Sequence, residues 1–151
     1  MKTFYLAHNL ESRHYNREWE LYVEREYNIS LFNPFYDVPR DEIEQIDKTN
    51  RERRYKFDMK TCQKIVRRDL RILSKCDGIV AILPEDVQAI GTLFEIAYAK
   101  QIKLPIYVIS KRHMNHPWVK VYATKRFEHI DDFEKFIEER FGKRKQHEFL
   151  R

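Results

Sequence analysis

Gly78-Ile79-Val80-Ala81-Ile82-Leu83, followed after a short turn by Gly91-Thr92-Leu93-Phe94-Glu95-Ile96-Ala97-Tyr98-Ala99, is the stretch whose reading decides the fold. The first run is wholly aliphatic and β-branched, which predicts a strand buried on both faces. A turn beginning Pro84-Glu85-Asp86 follows it. Gly91-Thr92 then opens a helix, the glycine allowing close backbone approach and the threonine offering a cap. One acid, Glu95, stands inside that apolar helix. An ionised carboxylate in apolar surroundings is costly unless it is paired, hydrogen-bonded or used.

Working outward toward the N-terminus, residues 57–75 read as a helix. Cys62, Ile65, Val66, Ile72, Leu73 and Cys76 define a stripe at spacings of three, four and seven,. Asp69 falls in the middle of it, so a second carboxylate projects from a face expected to be buried. Two roles fit it: a structural one, capping a loop or pairing with an arginine, and a functional one alongside Glu95. Residues 40–56 are highly charged and read as an exposed helix or a lid. Thr3-Phe4-Tyr5-Leu6-Ala7 predicts a first strand and Ile29-Ser30-Leu31-Phe32 a second. Between them, Tyr15, Trp19, Tyr22 and Val23 recur at helical spacing over residues 14–26,. Asn33-Pro34-Phe35-Tyr36-Asp37-Val38-Pro39 is a proline-bracketed loop.

Toward the C-terminus, Leu104-Pro105-Ile106-Tyr107-Val108-Ile109 predicts another buried strand, with the proline at its start. Residues 119–124 read as a short strand or a helix, and 131–141 as a terminal helix closed by Gly142. Alternating strands and helices give an α/β domain: a three-layer, flavodoxin-like parallel sheet of about five strands in the order 2-1-3-4-5. Residues 1–142 form one domain, and 143–151 a solvated basic tail. Ligands of such sheets bind at the carboxyl ends of the strands, near the switch between the first and third. The loops there are residues 8–13 and 84–91.

Composition excludes several classes of function. The chain has 151 residues, a net charge of +5 and a pI of about 9.1. Its bases are interleaved with 24 acids, and it carries no zinc-finger spacing or RNA-binding motif, so no nucleic-acid polymer is expected as partner. Three glycines cannot write a dinucleotide fingerprint or a phosphate-binding loop,. His113 and His116 lack a third ligand at metal-site spacing, so no metal is expected. Cys62 and Cys76 read as buried thiols of a reducing cytoplasm. No apolar run is long enough to cross a membrane, and no signal peptide precedes the first strand. The aromatic share of 14% reads as core packing, with a ring-lined pocket for a flat ligand as the alternative,.

Tyr5-Leu6-Ala7, Asp69-Leu70 ahead of Asp77-Gly78-Ile79-Val80, and Gly91 to Ala99 together resemble the nucleoside 2-deoxyribosyltransferases and the related 2'-deoxynucleoside 5'-monophosphate N-glycosidases. The resemblance runs over residues 3–110 and more loosely through Asn115-His116-Pro117-Trp118. It implies that Glu95 is a nucleophile toward C1' of a deoxyribosyl group, that Asp69 holds the base or manages its proton, and that Tyr5 orients Glu95. It implies substrate contacts from His8, Asn9, Asp86, Gly91 and Thr92, with Asn115 and Trp118 offered to a neighbouring copy in a homo-oligomer. The substrates implied are a 2'-deoxynucleoside and a free purine or pyrimidine base, with no cofactor. One departure stands out. Ala89 occupies a place six residues before Glu95 where transferases of this kind often carry an acid, and Glu85 or Asp86 is its nearest substitute. The N-glycosidases often carry serine there and a glycine-rich first loop, whereas residues 8–13 contain no glycine, leaving Ser12 and Arg13 for any phosphate. Transfer is therefore favoured over hydrolysis, with a non-catalytic nucleotide-binding protein as the third alternative.

Overall fold

The computed structural model describes residues 1–9, 12–38, 57–85 and 89–145. Within them the chain runs β1 (Lys2–Ala7), α1 (Arg13–Glu26), β2 (Ile29–Phe32), α2 (Met59–Lys75), β3 (Gly78–Ile82), α3 (Ile90–Gln101), β4 (Ile106–Ile109), α4 (Pro117–Tyr122), β5 (Lys125–Phe127) and α5 (Ile130–Phe141). The expected charged helix or lid at 40–56 lies outside the described residues. The five strands form one parallel sheet in the order β2-β1-β3-β4-β5, as the alternation of elements requires. No helix of the described residues is long and apolar enough to cross a membrane.

Period-two alternation divides the core between two faces. Phe4, Leu6, Ile29, Leu31, Val80, Tyr107 and Ile109 pack with Trp19 and Val23 of α1 and Phe133 and Ile137 of α5. Tyr5, Ala7, Ile79, Ala81, Ile106 and Val108 face the other way, against Leu73 of α2 and Ile96 and Ala99 of α3. This alternation puts Tyr5 on the face covered by the helices that carry Asp69 and Glu95. Most of the aromatic surplus is core, as in the Phe4–Tyr107 and Phe127–Phe133 edge contacts at 5.8 and 5.4 Å. Gly78 is tightly packed: a Cβ there would meet the Phe4 ring and the Pro105 carbonyl at 3.0 Å.

Several expectations are corrected. Of the two readings of 119–124 the helix holds, over residues 117–122, and the fifth strand is Lys125–Phe127. Pro117 starts that helix, where its missing N–H costs nothing. On α1 the inward residues are Arg13, Asn16, Trp19, Glu20 and Val23, whereas Tyr15 and Tyr22 are exposed. A polar network takes the place of half the apolar stripe. On α2 only Leu73 is fully buried, Val66 is 56% exposed and Cys62 is half-buried. That helix meets the sheet at its C-terminal end, so its upper stripe is left largely uncovered. The start of the basic tail is tied down rather than free: Arg144 donates from its backbone to the Glu26 carbonyl at 3.0 Å and from Nη2 to the Ile29 carbonyl at 2.9 Å.

Candidate active site

Glu95 lies on the second turn of α3, one residue before Ile96, which packs into the sheet. Its backbone position therefore holds the carboxylate close to the sheet face, with no basic partner among the described residues. Burial pushes its pKa up to about 8; the Tyr5 hydroxyl opposes that shift and the charge of Asp69 adds to it. Tyr5 is held well above its ordinary value, first by burial and then by the charges of Glu95 and Asp69, with Arg68 opposing. These mutual effects bring Tyr5, Asp69 and Glu95 into one electrostatic cluster between α2, α3 and β1. The Tyr5 hydroxyl faces the Glu95 carboxylate, yet neither Tyr5 Oη nor Glu95 Oε2 has a partner in full hydrogen-bond geometry, and both atoms are buried. Burial thus leaves the carboxylate with the Tyr5 hydroxyl as its polar neighbour.

The cluster sits deeper than the loops at the carboxyl edge. Tyr5 is level with Ile79, near the start of β3. Asp69 lies six residues before the end of α2, about 9 Å up that helix at 1.5 Å per residue,. From there the charge of Asp69 acts on both Tyr5 and Glu95. Asp69 is half-buried and accepts from Arg68 Nη2 at 2.8 Å and Nε at 3.1 Å. The arginine-pairing role is therefore real, and it coexists with proximity to Glu95. Arg68 had no signal of its own in the sequence, since adjacent residues on a helix do not normally face each other.

Gly91 stands one turn before Glu95, and a Cβ there would lie 4.0 Å from Glu95 Oε1. Its lack of a side chain keeps that oxygen approachable; no strained backbone demands the glycine. Thr92 is not the cap. The helix begins earlier, with Ala89 in the N-cap position and no side-chain cap bond. Thr92 is instead buried inside the first turn with Oγ1 unpartnered. Asn9, just past β1, is also buried with an unpartnered Nδ2. His8 is buried beside it, and burial lowers its pKa against the opposing contacts with Asn9 and Asn33. Asp86 lies outside the described residues. Glu85 is exposed, and its carbonyl accepts from Arg112 Nη1 at 2.6 Å. Asn115 and Trp118 are exposed, the Trp118 ring lying tilted against Tyr122 with centroids 5.7 Å apart. Among the described residues no group of three His, Cys, Asp or Glu is arranged to hold a metal ion.

Sequence reasoning passed over Phe32 and Phe35. Phe32 packs on Tyr5 at 5.7 Å and Phe35 on His8 at 4.9 Å, so both rings adjoin candidate site residues. It also passed over Asn33 and Glu20. Glu20 was legible in principle: it falls four after Asn16 and three before Val23 on the inward face of α1.

No family model matches the sequence, and no curated protein matches it. Solved structures do. A 2-deoxyribosyltransferase from the psychrotolerant bacterium Bacillus psychrosaccharolyticus aligns with a TM-score of 0.61 and 15% identity, over 87% of this chain and 90% of that one. A conserved protein from Enterococcus faecalis V583 aligns with a TM-score of 0.65 and 16% identity, over 93% of this chain and 99% of that one. At these identities the likeness establishes the fold, over nearly the whole of each chain.

Proposed function

We propose that the protein is a nucleoside deoxyribosyltransferase. The observation that carries this reading is the buried contact of the Tyr5 hydroxyl with the Glu95 carboxylate, with the charge of Asp69 acting on both. The likeness in fold to a 2-deoxyribosyltransferase supports it. In the proposed reaction an ionised Glu95 oxygen attacks C1' of a 2'-deoxynucleoside. The new bond is a glycosyl ester, and the C1'–N bond breaks with its electron pair leaving on the base. Asp69 holds the base or manages the proton at its ring nitrogen, and Tyr5 orients Glu95. An acceptor base then attacks C1', the ester C–O bond breaks, and the Glu95 carboxylate is restored. His8, Asn9, Gly91 and Thr92 border the substrate in this reading.

The test mixes a deoxynucleoside with a different free base and looks for the exchanged nucleoside. Exchange is expected. Release of base and sugar without an acceptor, above all from a 5'-monophosphate, would select hydrolysis instead. Binding without cleavage over hours would select a nucleotide-binding protein.

The same reading takes the chain as a homo-oligomer. Helix α3 is apolar on both sides, a pattern that predicts cover on both. Only one side meets the sheet: Ile90, Leu93 and Phe94 are exposed, Phe94 by 72%. Trp118 and Val121 of α4 are exposed as well. In this reading a second copy covers them and brings Asn115 and Trp118 to its own pocket. Phe94→Asp is expected to shift the mass measured by light scattering to that of one chain and to lower exchange activity. A wild-type mass equal to one chain would remove the oligomer from the reading.

A further inference from the structure

A second polar cluster centres on Glu20 of α1, which has no part in the proposed reaction. Glu20 of α1 is wholly buried, at 0% exposure. Arg17 Nη1 donates to both of its oxygens at 3.1 Å. Asn33 Nδ2 donates to Glu20 Oε2 at 2.9 Å, while Asn33 Oδ1 accepts the Phe35 N–H at 3.0 Å. The amide orientation of Asn33 is thus fixed from both ends. Its oxygen lies 3.1 Å from His8 Nε2. The Asn33 backbone meanwhile organises the loop after β2: its N–H donates to Asp37 Oδ2 at 2.8 Å and its carbonyl accepts from the Asp37 N–H at 2.9 Å.

The His8 ring therefore faces an acceptor on each side, Asn33 Oδ1 at Nε2 and the Asn9 carbonyl at Nδ1, also at 3.1 Å. A neutral imidazole has one proton and can satisfy only one of them. By accepting from Asn33 Nδ2, the Glu20 oxygen fixes and polarises the Asn33 amide and makes its oxygen the stronger acceptor,. We propose that Glu20 is a positioning residue: through Asn33 it fixes the His8 proton on Nε2 and so locks His8, Phe35 and the loop after β2 into one preformed wall beside Asn9. The geometry of the network stands by itself, while its bearing on substrate rests on the deoxyribosyltransferase reading. Glu20 reaches His8 through the intervening Asn33.

The test is a two-bond proton–nitrogen NMR spectrum of the histidine rings in the full chain, His8 being identified by the signal lost in His8→Gln. The wild-type ring is expected to carry its proton on Nε2. Glu20→Ala is expected to move the ring to an Nδ1-protonated or mixed state. Glu20→Gln keeps an oxygen for Asn33 Nδ2 and is expected to restore Nε2 protonation. In base exchange, Glu20→Ala should raise the donor KM about tenfold with a smaller change in kcat, and Glu20→Gln should recover it. A wild-type ring protonated on Nδ1 overturns the proposal whether or not the alanine variant folds. So does an alanine variant whose His8 signals match the wild type. The spectra need no substrate, so they test the network even if the protein transfers no deoxyribose. Base exchange, in turn, tests the transfer reading whatever the tautomer of His8.

Discussion

Glu95→Gln is expected to lower base exchange by at least about a thousandfold, because the proposed reaction has no other nucleophile. The same substitution should stabilise the fold at alkaline pH, and the sign follows from linkage. The folded chain keeps the Glu95 proton up to about pH 8, whereas the unfolded chain releases it near 4.5. Across that window the unfolded state binds fewer protons, so wild-type stability falls as pH rises. The contribution is fully present below 4.5 and gone above about 8. Glutamine does not titrate and mimics the protonated acid. The stability gap between variant and wild type should therefore open with pH, reaching roughly 3–5 kcal/mol at pH 9 and closing near pH 4. Glu20, pushed up to about 7 chiefly by burial, titrates in both chains and cancels in the difference. Urea unfolding at several pH values measures the gap, and base exchange measures the rate. A pH-independent gap would mean that Glu95 is not a buried, unpaired acid. Unimpaired exchange would end its role as nucleophile.

Asp69→Asn is expected to slow exchange by about a hundredfold, the scale of losing one positioned proton-transfer group. It should also move the acid limb of the pH profile. In the wild type, kcat/KM should rise with pH to a plateau above about 8, because the nucleophile must be ionised before it attacks,. The negative charge of Asp69 is one cause of that high value, so neutralising it makes the Glu95 proton easier to remove,. The limb should shift to lower pH in the variant even as the plateau drops. A lower rate with an unmoved limb would mean that Asp69 and Glu95 are not electrostatically coupled. An unchanged rate would confine Asp69 to its ion pair with Arg68. The two substitutions thus separate a carboxylate that must lose its proton from one that manages a proton for the leaving base.

How much of this was legible in the sequence varies from element to element, for physical reasons. Buried parallel strands declare themselves: Gly78 to Ile82 and Ile106 to Ile109 are continuous apolar runs, and their alternation with helical spacing leaves few topologies open. Hence the strand order followed from pattern alone. Glu95 and Asp69 were visible as charges where the pattern called for apolar residues. Boundaries and caps were less legible, because they depend on competition between neighbours. Thr92 has the chemistry of a cap, yet the helix starts before it. The outer stripe of α2 was misread because periodicity reports an apolar face without saying what covers it.

The sequence by itself determined the layers, the strand order and the two acids that break the apolar pattern, since these rest on local periodicity and short-range burial. Only the tertiary structure decided that Tyr5, sixty-four residues before Asp69, lies on the sheet face covered by the helices of both acids, and that the charge of Asp69 reaches Tyr5. It also decided that Glu20 and Asn33 meet His8. Those meetings depend on side chains distant in sequence approaching within a few ångströms. The high pKa of Glu95 is set in the same way: by the water that folding removes and by the hydroxyl and carboxylate it brings close.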